Sequence, residues 1–168
     1  MAKKWTCTEY DCSRDGGILL AEELLNNIRE QDKMDLIATG GDVVFEICGS
    51  LQETEKSYVY RGEDGELLCI MGISRYVPDA AGRCVYMLGT NALNDISYVK
   101  QLLFTEARRV IGNWIEHYGI IFNAVNVDNK RSIAWLTRLG AIWLPEKIHT
   151  SNGIFQQFII TKGSVKDV

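Results

Sequence analysis

Residues 84–125 read CVYMLGTNALNDISYVKQLLFTEARRVIGNWIEHYGIIFNAV, and the fold turns on how that run divides. Cys84-Val-Tyr-Met-Leu88 is a continuous apolar run of strand length, as expected of a strand buried on both faces. From Val99 the apolar period changes. Val99, Leu102, Leu103, Ala107, Val110, Ile111, Trp114, Ile115 and Tyr118 recur at three- and four-residue steps. That spacing predicts one long helix, with Lys100, Arg108, Arg109 and Glu116 off its apolar stripe. Asp95 or Ser97 would cap its start, and Gly119 stands where a left-handed C-terminal cap is wanted. Ile120-Ile-Phe-Asn-Ala-Val125 is the next strand. A strand, a helix long enough to cross back and a second strand predict a right-handed crossover between parallel strands.

Working outward, Tyr58-Val-Tyr60 and Leu67 to Ile73 flank Arg61-Gly-Glu-Asp-Gly-Glu66 and read as a hairpin. Pro78-Asp-Ala-Ala-Gly82 turns the chain towards Cys84. Nearer the start, Trp5 to Tyr10 suits a first strand. Ile18, Leu19, Leu20, Leu24, Leu25 and Ile28 share one helical face, with Ser13 or Asp15 as cap. Asp42 opens a short second helix that runs on into Ser50-Leu-Gln-Glu-Thr-Glu-Lys56. Downstream, Asn129 caps a short helix carrying Ile133, Ala134, Leu136 and Leu139, and Gly140 closes it. Strands 141–147 and 154–161 join around Ser151-Asn152-Gly153, a strong hairpin signal. The order β-α-α-β-β-β-α-β-α-β-β predicts an α+β (α/β mixed) sheet with helices packed on it, as one domain over residues 1–168.

Composition narrows the function. With 46% hydrophobic and 24% charged residues in 168, the chain can bury a core. Eighteen basic against 22 acidic residues leave a net charge of −4, so no nucleic-acid partner is expected. His117 and His149 lie far apart, which excludes a histidine-rich metal site; no metal is expected. Five cysteines (Cys7, Cys12, Cys48, Cys69, Cys84) show no CxxC and read as free, buried thiols of a reducing compartment. The N-terminus has no signal-peptide core, and the longest apolar run is too short for a bilayer, which needs about 20 residues. The expectation is a soluble cytoplasmic protein with no membrane partner.

The segment Asn129-Lys-Arg-Ser132-Ile-Ala-Trp135-Leu136-Thr-Arg-Leu139-Gly140-Ala141, set in that element order, resembles the GNAT superfamily of acyl-CoA-dependent N-acetyltransferases. The family carries Asn, a small residue at +3, aromatic or aliphatic residues at +6 and +7, then Leu-Gly-Phe. Tyr86-Met-Leu-Gly-Thr-Asn-Ala-Leu93, Arg108-Arg109, Phe122 to Asn129 and Trp135 to Gly140 are similar to a group of small phage proteins. These are GNAT-like acetyltransferases or internal virion proteins of short-tailed phages. The match spans roughly residues 58–162.

The resemblance implies a GNAT fold whose strands 84–88 and 120–125 splay apart. Acetyl-CoA would lie in the wedge, pairing with the edge Met87 to Thr90, with its pyrophosphate at the start of the long helix. Leu88, Thr90, Asp95, Ile96, Ser97, Asn129 and Trp135 are then the implied cofactor-binding residues. The partner would be an amine acceptor, or a host or virion protein, in host cytoplasm or virion.

Two departures stand out. The family's loop glycines fall near Asn94, Ile96 and Tyr98, and Asp95 puts a charge beside the diphosphate, a repulsion of about 3 kcal/mol at ~5 Å and an effective dielectric of ~20. Lys100 would offset part of it. Leu136 holds the place of the family's proton-donating tyrosine, with Tyr86, Tyr98 and Tyr118 as substitutes. The general base would be a carboxylate near the strand ends: Glu66, Asp128 or Glu46. The alternative is a non-catalytic internal virion or assembly protein that keeps the scaffold. Each residue also has a plainer role, with Asn129 as a helix cap, Trp114 and Trp135 as packing, Arg108-Arg109 as a solvated face and His149 in a loop.

Overall fold

A computed structural model describes residues 4–11, 17–39, 41–75 and 80–165. Ser13, Asp15, Cys12 and Pro78 lie outside the described residues, as does the side chain of Lys100. The chain runs β1 (Trp5–Tyr10), α1 (Ile18–Asn27), α2 (Glu30–Ala38), α3 (Val43–Gln52), β2 (Thr54–Gly62), β3 (Leu67–Ser74) and β4 (Arg83–Gly89). A 3-10 turn (Asn91–Asn94), α4 (Ile96–Gln101), a π turn (Leu102–Glu106) and α5 (Ala107–Tyr118) follow. The chain closes with β5 (Ile120–Asn126), α6 (Lys130–Arg138), β6 (Ile142–His149) and β7 (Ile154–Thr161).

The strands form one seven-stranded sheet in the order β1-β2-β3-β4-β5-β7-β6. All neighbours are antiparallel except β4 and β5. That parallel pair holds only at Arg83 with Ile121 and Cys84 with Phe122, beyond which the strands diverge. The fold class and the splay match the sequence-based expectation.

Each face of the sheet carries its own core. Leu20, Leu24, Ile47 and Leu51 of α1 and α3 pack on Val59, Ile70 and Leu88. On the other face Val110, Trp114 and Ile115 of α5, with Leu136 and Leu139 of α6, cover Leu68, Ile73, Val85, Ile121 and Phe158. Gly140 ends α6 at φ +97°, and a Cβ there would collide with the Ser164 carbonyl, so glycine alone fits.

Three local expectations are corrected. Among the described residues three helices, not two, lie between β1 and β2. Ile28 leaves the helical region (φ −57°, ψ 141°) and makes an isolated β-bridge with Thr90. Tertiary pairing thus breaks the helix where no Gly or Pro marks a stop. The third helix ends at Gln52, because the Thr54 hydroxyl donates to the Ser50 carbonyl and Thr54 already opens β2. The long helix is interrupted by the π turn. There Leu103 O accepts from Trp135 Nε1 at 2.8 Å, an outside donor of the kind that accompanies such bulges. Glu106, in the same turn, is buried and accepts from Tyr60 Oη at 3.2 Å and Arg109 Nη2 at 2.6 Å. The cysteine reading is also corrected in part. Cys7, Cys48, Cys69 and Cys84 are free, but Cys7 is exposed and only Cys69 is fully buried, its thiol pushed up to about 12 by that burial.

Candidate functional site

The gap between β4 and β5 is the natural site, because a strand edge without a neighbour keeps unpaired backbone groups. The β3–β4 ladder decides which residues face it. Thr90 N–H donates to Leu68 O at 2.9 Å, so alternation turns Val85, Met87 and Gly89 towards the gap. Val85 O accepts from Asn123 Nδ2 at 2.6 Å. Gly89 is engaged at both ends: its N–H donates to Asp32 Oδ2 at 2.6 Å and its carbonyl accepts from Arg29 N–H at 3.0 Å. Met87 faces the gap with no β5 partner opposite, among the described residues.

The gap opens into a cavity of about 350 Å³ lined from both faces of the sheet. The α5–α6 side is apolar, with Met71, Ile111, Trp114, Leu136 and Phe158. The α2–α3 side is polar, with Arg29, Asp32, Asp35, Glu46 and Ser50. An acyl chain suits the first half and a cationic amine the second.

Helix α2 touches both diverging strands. Arg29 and Asp32 hold Gly89 at the end of β4, and Asp35 Oδ2 accepts from Asn129 Nδ2 at 2.6 Å, just past β5. The only residues α2 buries are Asp32 and Ala38, so polar bonds seat it more than apolar packing does. Asp32 is 6% exposed and pairs with Arg29 at 2.8 Å. Burial raises the pKa of Asp35 above the ordinary aspartate value, and the Asp32 charge adds to this while bonds from Asn129 and Gln31 oppose it.

The start of α4 is closed to anions by the chain itself. Asp95 Oδ1 accepts from Ser97 N–H at 2.9 Å, and the Asp95 carbonyl accepts from Tyr98 and Val99 N–H at 3.0 and 3.1 Å. A phosphate there would have to displace the Asp95 carboxylate from Ser97 N–H and would meet its negative charge.

Of the seven residues implied for the cofactor, Leu88, Asn129 and Trp135 line the cavity; Thr90, Asp95, Ile96 and Ser97 do not. Thr90 is fully buried with its hydroxyl bonded to Leu67 O, and Ile96 is 65% exposed. Asn129 caps α6, accepting from Ser132 N–H at 3.1 Å. Among the base candidates Glu46 lines the cavity, whereas Glu66 is bonded to Tyr98 Oη at 2.9 Å and Asp128 lines an adjoining polar hollow that shares Arg29, Asp32, Asn129 and Ser132 with it. Of the three tyrosines offered as substitutes, Tyr86 alone lines the cavity, its hydroxyl 3.1 Å from both Thr54 Oγ1 and Ser57 Oγ. Tyr118 donates to Glu55 at 2.6 Å.

The sequence reading missed Arg29, Asp32 and Asp35. The available signal was Asp32 and Asp35 three residues apart, on one face of a helix. The unrecognised break at Ile28 hid it.

Leu136 is 8% exposed and belongs to the core, yet it also lines the cavity. Leu136→Tyr is expected to cost no more than about 1–2 kcal/mol, because the ring can extend into existing space. A urea melt checks this; a loss above 3 kcal/mol would mean that the side chain has nowhere to go.

Among the described residues no helix is long and apolar enough to cross a membrane. No protein-family model matches the chain, and no curated protein matches it in sequence. Solved structures do. A proposed acetyltransferase of Acinetobacter baylyi ADP1 matches at TM-score 0.66 and 12% identity, over 96% of this chain and 94% of that one. Spermidine N-acetyltransferase of Vibrio cholerae, in complex with CoA and spermine, matches at TM-score 0.66 and 11% identity, over 95% and 96%. IAA acetyltransferase of Bacillus cereus ATCC 14579 matches at TM-score 0.57 and 10% identity, over 94% and 99%. The seven-stranded mixed sheet, split between β4 and β5, is thus the fold of the GNAT acetyltransferases, shared along nearly the whole chain.

Proposed function

We propose that this chain is an N-acyltransferase that moves an acyl group, acetyl in the simplest case, from acyl-CoA to an amine. The observation that carries this reading is the split sheet. Met87 presents backbone to a cavity of about 350 Å³ that is apolar on one side and acidic on the other. The residues present fit the acyl-pantetheine end of the donor: Met87 and Leu88 would border the arm, with Trp135 and Leu136 beside it. They do not fit the pyrophosphate at the start of α4, where Asp95 takes the donors. The likeness to a Vibrio cholerae enzyme that holds CoA and spermine supports both donor and acceptor classes.

A second reading has its own observation. Gly89 and Asp95 fill from within the places where a CoA ester would bond, as a scaffold that has lost its chemistry would. That protein would be an internal virion or assembly component of a phage.

Thermal melting in acetyl-CoA separates the two. Weak binding is expected, with a Kd above about 10 µM, or roughly −7 kcal/mol. At ligand tenfold over Kd, linkage raises stability by about 1.4 kcal/mol, a Tm rise of about 3–5 °C. No shift at millimolar ligand would favour the scaffold reading.

A further inference from the structure

Resting on the acyl-transfer reading, we propose that Asp35 takes the proton from the acceptor's ammonium group, and that Asn129 is the positioning residue that aims it. Asp35 lines the acidic half of the cavity. Its carboxylate accepts from Asn129 Nδ2 at 2.6 Å and Gln31 Nε2 at 3.2 Å. A carboxylate has about four acceptor positions, so two remain for a substrate N–H. Asp32, one turn earlier, is occupied: both its oxygens bind Arg29, and one also binds Gly89 N–H.

Asn129 supplies the second line of argument. It is 3% exposed, and its Oδ1 is committed to capping α6. That bond orients the amide, which leaves Nδ2 directed at Asp35, 94 positions away in sequence. Aspartate and serine cap a helix about as well as asparagine. What asparagine adds is the donor. One side chain therefore starts α6 and anchors the carboxylate on α2 across the mouth of the gap.

Charges of both signs surround Asp35. Arg29 and Asp32 share its segment, Glu46 faces the cavity from α3, and Cys84 and Tyr86 are the titratable groups on β4. Asp128, Lys130 and Arg131, with Glu30 of α2, line the neighbouring hollow beside Asn129. A base whose proton affinity is raised by burial is better matched to taking a proton near neutral pH.

The protons balance as follows. The ammonium gives one proton to Asp35. The acyl thioester supplies the carbonyl and the thiol leaving group: the neutral nitrogen forms the C–N bond as C–S breaks, and the second N–H proton leaves on the thiol. Asp35 then returns its proton to water at the open side of the cavity.

The test uses the full chain with acetyl-CoA, comparing propylamine with trifluoroethylamine, which is already neutral at pH 7. Asp35→Asn keeps an acceptor for Asn129, so its Tm should stay within a few degrees of the parent. Its kcat/KM with propylamine should fall roughly 100-fold or more, and with trifluoroethylamine less than tenfold. Asn129→Asp keeps the cap but sets a second carboxylate against Asp35, which should move the acid limb of the pH–rate profile up by about one unit or more. The same move should appear in a ¹³C NMR titration of the Asp35 carboxyl, without any ligand. Equal losses with both amines, an unmoved acid limb and titration, or activity lost in Glu46→Gln but kept in Asp35→Asn would each overturn the assignment alone. A parent chain that neither binds acetyl-CoA nor releases thiol with either amine would overturn the acyl-transfer reading, and the assignment with it.

Discussion

Asp32→Ala is expected to lower stability by about 3 kcal/mol and, in the same protein, to tighten acetyl-CoA binding about fivefold. The loss has two parts. Arg29 would keep a partly buried guanidinium without its carboxylate, and Gly89 N–H would lose its acceptor. Breaking a buried ion pair costs roughly 3–5 kcal/mol and an unsatisfied buried donor about 1–3. Arg29 retains 21% side-chain exposure, so water recovers part of this and the sum stays near the lower bound. For a chain of this size the Tm should drop by about 6–12 °C. The gain in binding comes from the freed Gly89 N–H, a donor aimed into the gap and worth about 1 kcal/mol to a ligand carbonyl. Urea melts and calorimetry read the two effects separately. Unchanged stability would show that α2 is not seated through Asp32. Weaker binding would show that the gap needs the carboxylate rather than competing with it.

Gly72→Ala should destabilise by about 2–3 kcal/mol without touching the cavity directly. Gly72 lies opposite Tyr86 in the β3–β4 pair, and a Cβ built on it would overlap the Tyr86 ring. The tip of the ring covers the glycine, with its hydroxyl 3.1 Å from both Thr54 and Ser57. A methyl group would push it away from both hydroxyls, and β3 is paired on both sides at Gly72, with Ser57 of β2 and Tyr86 of β4, so its backbone yields little. Overpacking of this kind costs about 1–3 kcal/mol, with the lost hydroxyl bonds added. The cavity that Tyr86 already borders offers the displaced ring space, so acetyl-CoA binding should weaken as well. Urea denaturation and a thermal shift with ligand check both. A neutral result would mean that Tyr86 already has another resting place.

The outline of the fold was legible because it is written in short-range signals. The apolar run at 84–88, the three- and four-residue steps from Val99, and the caps at Asn129, Gly119 and Gly140 all concern residues within one or two turns of each other. These are the ranges over which strand and helix periods act. Asp95 was also read as a cap, and the structure shows how its oxygens occupy the helix start. The likeness around Asn129 to Gly140 pointed to the right fold, and the strands do part after Cys84 and Phe122.

Tertiary structure decided the rest. The helix break at Ile28 and Arg29 exists because Gly89 and Thr90, some sixty residues on, offer backbone partners. The π turn holds because Trp135 donates to Leu103 from another helix. Asp35 was invisible as a site residue for the same reason: its partner Asn129 is 94 positions away. A side chain's period names the face it lies on, but a polar pair across the molecule leaves no periodic trace. The sequence by itself therefore determined the strands, most of the helices and their order, and its likeness to the acetyltransferases implied the split sheet. Only the packed chain decided that α2 lies across that split, and which carboxylates line the opening.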